Sequence, residues 1–535
     1  MADRAAQKVL DAWTERLEGV AKENALAWWA VNTDASAENS KRFAAALQAY
    51  EDACRDAEGF ARVKRCVEEG VADPVLRRSL EVLRDELAPF QAPQDVRMKM
   101  VDLEASIQQR YSSTRGKVGG VAKSDNEIVD ILKNSTDSAL REEAWRASKD
   151  VGQAVAADVR ALVRLRNEAA RALGYADHYQ MALSLQQVDA AWLDQFLSRM
   201  AAATERPFST YKGALDRRLA QRFGIHPDDL RPWHYEDPFF QEAPQAGKKS
   251  FDALFAGRDL VALTRRTYAA LGLDVDPVLS SSDLSPRPGK CQHAFCMHVD
   301  RKGDVRVLCN NVADERWAGT MLHEFGHAMY DRYIDASLPY VLRTPPHMSS
   351  TEAIAMLFGR LSKDPAWLVP VLGLNPKDAQ TVADAATAAF RDGMLVFVRW
   401  VLVMTRFERA MYADPERDLD GLWWDLVERF QGVRRPPARK APDWAAKIHI
   451  ATAPVYYHSY LMGECIASQL SKHIRTKAGG ALVDNPAAGS FLRDSYFAPG
   501  SKQTWNDLLA SATGAPLDPT IFLEDVGIAP VAAAR

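Results

Sequence analysis

The chain predicts a mostly α-helical fold of two lobes, and three observations carry that reading. Apolar residues recur at helical spacing through long stretches rich in Ala, Leu, Arg and Glu, such as residues 138–173 and 191–221. Period-two alternation is convincing in one place only, residues 291–309. With 535 residues, 47% of them hydrophobic, the chain is long enough for a large core and for more than one lobe.

Taken in order, residues 1–223 read as amphipathic helices and are expected to form mainly the lid of a single two-lobed domain, with residues 224–535 as the remainder. Residues 230–249 are a loop rich in Pro and aromatic residues, and 280–290 are another. A β-hairpin is expected next, from strands at 291–299 and 305–309 with a turn at 300–304. Helices resume at Val312 and continue to the end, broken at 431–437 and 479–486, where Gly and Pro cluster.

Composition narrows the function. A net charge of −4 gives no electrostatic case for a nucleic acid or an anionic membrane as partner. The N-terminus has no apolar signal-like segment and no run approaches the length of a membrane-spanning helix, so a cytoplasmic protein is expected. Six cysteines without a CxxC pair imply neither a disulfide framework nor a thiolate metal site.

The chemistry concentrates in residues 321–330, where His323 and His327 stand four apart with Glu324 beside the first. On a helix that spacing puts both imidazoles on one face, able to share a metal ion while Glu324 flanks its open side: the HExxH arrangement of a zinc peptidase. Asn310 or Asn311 is the expected cap of this helix. The competing reading is a helix whose two His and Glu are merely solvated.

A second, apolar helix at 349–359 has one early acid, Glu352, 25 residues after His327 and beyond a Pro-containing connection. As third ligand it would leave the fourth tetrahedral position open, the pattern of a catalytic rather than a structural site; alternatively it is an acid placed to favour the helix dipole. The hairpin before the metal helix could pair an edge strand with an extended peptide, or could simply cover helices. Residues 443–461 gather Lys447, His449, His458 and three tyrosines, Tyr456, Tyr457 and Tyr460, candidates for oxyanion and carboxylate binding or else a core aromatic stripe.

These residues resemble the angiotensin-converting-enzyme family of zinc peptidyl-dipeptidases and, more distantly, the thimet oligopeptidase family. Residues 28–34 followed by 38–41 are similar to the family's WAYNT segment, and 165–175 to its LSNEAARLNGF segment. His293-Ala294, the Trp423-Trp424 pair, 430–432, Pro436-Pro437 and 446–450 follow in the family's order. The resemblance implies one zinc ion on His323, His327 and Glu352, with Glu324 as general base and later proton donor. It implies backbone binding by His293 and Ala294, and a carbonyl contact from His449. Lys447 and Tyr457, with Tyr456 as the alternative, would hold the substrate's C-terminal carboxylate, and Tyr460 the oxyanion.

Departures from the family pattern are equally specific. Ser459 and Val427 replace arginines tied to chloride activation, and Met356 stands where an acid supports a metal-bound histidine. Cys291 and Cys309 lie one residue from the positions of a family disulfide and are expected to be thiols. The expectation is a helical peptidase with a deep central cleft, acting on short peptides and releasing C-terminal dipeptides. An oligoendopeptidase or metallocarboxypeptidase on a related scaffold, or a silent peptide-binding protein, is the alternative.

Overall fold

The computed structural model describes residues 2–244 and 251–528. Among these, helices dominate, from Ala2–Thr33 to Pro519–Asp525, and strands are confined to two small antiparallel hairpins. No helix among the described residues is long and apolar enough to cross a membrane. The chain divides into two compact units, each gathered from separated stretches: residues 1–91, 250–386 and 462–522 make the first, and 92–249, 387–461 and 523–535 the second. Both units draw residues from either side of the 223/224 division expected from the sequence.

In the first unit the expected hairpin forms from Phe295–His298 and Val305–Leu308, with Phe295 opposite Leu308 and His298 opposite Val305. Its strands are shorter than the 291–299 and 305–309 expected. The Cys291 N–H donates to the Asn32 carbonyl at 2.8 Å and the Cys309 N–H to the Asp283 carbonyl at 2.9 Å, so both backbones find partners outside the ladder. Lys290, buried, donates to the Asp283, Ser285 and Cys309 carbonyls and pins the approach to the first strand. Trp28 packs its ring 4.4 Å from that of Phe295, so the end of the N-terminal helix covers the start of this strand.

The metal helix spans Glu315–Arg332, with Asp314 as its cap: the Asp314 carboxylate accepts the Trp317 N–H at 2.7 Å. The asparagines expected there are engaged elsewhere. Asn310 donates its amide to the Cys291 carbonyl at 2.9 Å, and the Asn311 amide faces the Met321 sulfur at 3.3 Å. A second helix, Met348–Gly359, packs directly on the first. Gly326 makes that approach possible, because a Cβ there would meet the Ala355 Cα at 2.9 Å. Tyr268 locks the pair from behind, donating its hydroxyl to the Leu322 carbonyl at 2.6 Å while its ring lies 4.6 Å from Phe358. Burial of such a side chain contributes roughly 1.5–3 kcal/mol. All six cysteines are free thiols.

The second unit holds the other hairpin, Lys117–Val118 paired with Val121–Ala122. Gly119 and Gly120, with φ of 60° and 75°, make its two-residue turn, a signal the sequence reading passed over. The core here is aromatic: Trp423 lies 5.9 Å from Trp400 and 5.2 Å from Phe407, and Phe407 lies 5.5 Å from Trp444. Before the helix that begins at Tyr457, Val455 adopts φ of 55°, unusual for a β-branched residue. Buried Glu408 accepts its N–H at 2.8 Å and the Gln186 amide donates to its carbonyl at 3.2 Å, which hold the turn in place.

Candidate metal centre and substrate-binding residues

Helical spacing does at 323 and 327 what the sequence implied. The Nε2 atoms of His323 and His327 lie 3.8 Å and 3.9 Å from Glu352 Oε2, and one donor atom from each of the three residues falls within 4.8 Å of the others. Tetrahedral zinc at usual bond lengths spaces its ligands about 3.4 Å apart, so the two histidine–Glu352 separations stand within about half an ångström of that spacing. The remaining ring nitrogens are turned away. His327 Nδ1 lies 2.6 Å from Thr351 Oγ1, and the His323 ring bonds the backbone of Ala355. Two imidazoles presenting Nε2 beside a carboxylate are a donor set that fits zinc.

Electrostatics agree with that fit. Burial drives His323 down to about 4, partly offset by its bond to Ala355, and drives His327 to about 3, helped by the adjacent His323. Both are therefore neutral ligands at physiological pH. Burial also raises Glu352 to about 7, with Glu464 adding to the effect, and Glu324 to about 8, with Glu352 adding. Desolvation thus opposes negative charge on two neighbouring carboxyls, and a divalent cation would reverse that penalty. Glu324 is itself buried on the metal helix.

Helices from distant parts of the sequence support this centre. Gly463 brings its helix against Glu352: a Cβ at 463 would sit 3.4 Å from the Glu352 Cβ and 3.4 Å from the Met356 sulfur. The next residue, Glu464, forms an ion pair with Arg360. His293 and Ala294 belong to the same unit but lie just ahead of the strand Phe295–His298, with His293 in a bend and exposed.

The second unit gathers the other expected residues. The Lys447 ammonium, buried, donates to Gln241 Oε1 at 2.6 Å and faces the rings of Phe239, Trp400 and Tyr457 at 5.4–5.6 Å. Burial lowers it to about 8, against the pull of Asp237 and Glu242. His449 lies 5.1 Å from Tyr457, ring to ring, and is lowered to about 4 by burial and then by Lys447. Tyr460 packs against both Tyr456, at 4.9 Å, and Tyr457, at 5.6 Å. Tyr457 is thus the tyrosine beside Lys447 and His449.

Gln241 was missed by sequence reasoning. It sits in the loop noted only for its Pro and aromatic content, held by Asp237, whose carboxylate accepts the Gln241 N–H at 3.0 Å. Near it, Val427 lines a small cavity of about 20 Å³ with Lys149, Phe239, Trp424 and Asp443, room for about one water. Ser459 is fully buried with its hydroxyl unpartnered.

Comparison with known proteins agrees in both halves. The angiotensin-converting enzyme family, peptidase family M2, matches residues 1–208, and peptidase family M3 matches residues 281–528. The chain is 22% identical over 572 residues to the angiotensin-converting enzyme of Mus musculus, covering 97% of this chain and 42% of that protein. It is 21% identical over 558 residues to that of Bos taurus and 22% over 564 residues to that of Sus scrofa, each covering 96% of this chain and 42% of the relative. The chain therefore spans less than half the length of the curated relatives it matches.

Proposed function

We propose that the chain, which is similar to angiotensin-converting enzymes, is a zinc metallopeptidase that releases dipeptides from the C-termini of short peptides. The observation that carries the proposal is the convergence of His323, His327 and Glu352 with Glu324 on the same helix. Zinc held by the three ligands would supply Lewis acidity, polarising the scissile carbonyl and acidifying a water at neutral pH.

The protein's own residues supply the rest. Glu324, raised towards neutrality, suits a base that takes a proton from the attacking water and returns it to the departing amine nitrogen. Tyr460 is assigned the oxyanion, to which its phenol O–H would donate. His449 is assigned the carbonyl beyond the scissile bond, and His293 and Ala294 the backbone on the other side. Lys447 and Tyr457 are assigned the terminal carboxylate; their proximity, with a buried ammonium among aromatic rings, supports that assignment over one using Tyr456.

The M3 match across residues 281–528 favours one second reading, an oligoendopeptidase that does not read the terminus. Mass spectrometry of the products from a defined peptide mixture separates the two. Successive dipeptides lost from free C-termini are expected; internal cuts at fixed sequences, indifferent to the terminus, would overturn the exopeptidase assignment.

A further inference from the structure

We propose that Thr351 is the positioning residue for the metal ligand His327, and that among the described residues the two ligand histidines are supported by neutral acceptors alone. The inference rests on the zinc-site reading above and extends it to a residue on the neighbouring helix. His327 Nδ1 and Thr351 Oγ1 are 2.6 Å apart, a short hydrogen bond, and Thr351 is 9% exposed. For Nε2 to offer a lone pair to a metal, the ring proton must sit on Nδ1, so Nδ1–H donates and the Thr351 oxygen accepts. Thr351 is thus placed to select the tautomer and fix the ring plane of the ligand.

The position that the sequence comparison marks for an acid is unsuited to this task. Met356 directs its sulfur toward Gly463. The other imidazole, His323, is braced by the Ala355 backbone. Neither ligand histidine is given a carboxylate partner by these contacts. A hydroxyl or amide oxygen is a weaker acceptor than a carboxylate and withdraws less positive charge from the imidazole N–H. The centre should therefore hold its metal less tightly than one with a carboxylate behind the histidine, and leave the metal the more acidic.

The test is zinc affinity of the full chain by chelator competition, with thermal unfolding of the metal-free protein as a control for the fold. Thr351→Val, nearly isosteric, should weaken zinc binding by roughly 10–100-fold, the usual effect of losing a partner behind a ligand. Thr351→Ser should stay within about threefold of the parent, because it keeps the oxygen. Met356→Leu should leave affinity unchanged. Nitrogen NMR of His327 should show the proton on Nδ1 in the parent. The proposal is overturned if Thr351→Val binds zinc like the parent, or if Ser and Val weaken it equally, which would assign the effect to packing. His327→Ala separates this from the premise: unchanged zinc binding in that variant would refute the metal site itself.

Discussion

Removing the charge of Lys447 tests how the substrate's end is recognised. Lys447→Met keeps most of the apolar stem among Phe239, Trp400 and Tyr457 while deleting the ammonium. A charge-assisted hydrogen bond contributes roughly 1.5–3 kcal/mol, so kcat/KM for a free-acid peptide should fall about 10- to 150-fold. The same peptide with an amidated terminus should already be slow with the parent and lose little more in the variant, because both changes delete one contact. The pH profile adds an independent check. Lys447 is lowered from 10.5 to about 8, so it is charged below that pH and loses its proton as pH rises through it. The preference for free acid over amide should be largest near pH 6 to 7 and shrink towards unity above about pH 9. The assay is kcat/KM for matched acid and amide peptides across that range. Equal hydrolysis of the pair by the parent at neutral pH would refute the reasoning.

Glu324→Gln should retain zinc, measured by atomic emission, and lose turnover by about 10²–10⁴-fold, since an amide cannot accept the proton. Chelation should abolish activity, and zinc affinity of the metal-free protein should rise with pH through about 7, because Glu352 must shed its proton while His323 and His327, at about 4 and 3, are already neutral. A titration in buffers of differing ionisation enthalpy would show the released proton. Activity should respond weakly to chloride at constant ionic strength, since Val427 and buried Ser459 offer no cation where the family pattern has arginines. Gly326→Ala should lower stability by about 1–3 kcal/mol in chemical denaturation, because its Cβ would press on the Ala355 Cα at 2.9 Å.

The metal ligands were readable because their geometry is local. Four residues on a helix return to one face, and the segment carrying Glu352 follows after a short connection. Their support was not readable. Gly326, Thr351 and Gly463 matter only once separate helices touch, and nothing in their own neighbourhoods announces that contact. Local competition defeated other expectations: Asn310 and Asn311 are good cap residues, yet both amides were claimed elsewhere and Asp314 took the role. The first strand was drawn too long because the partner of the Cys291 N–H, the Asn32 carbonyl, lies 259 positions away in the chain. Gln241 was hidden in a loop whose composition pointed only to irregular structure.

The interleaving of the first unit bears on how the protein is made. Its N-terminal 91 residues cannot be completed by their own neighbours; they await residues 250–386 and then 462–522. The ligands His323, His327 and Glu352 leave the ribosome close together, whereas Gly463 and Glu464, which back Glu352, follow more than a hundred residues later. At about 5–20 residues per second that gap lasts several seconds to tens of seconds. During it the nascent chain carries three metal ligands without their finished surroundings, and its apolar faces stay open to other partners. A fragment ending before Met462 should therefore be recovered unfolded or chaperone-bound, even though every zinc ligand is present in it.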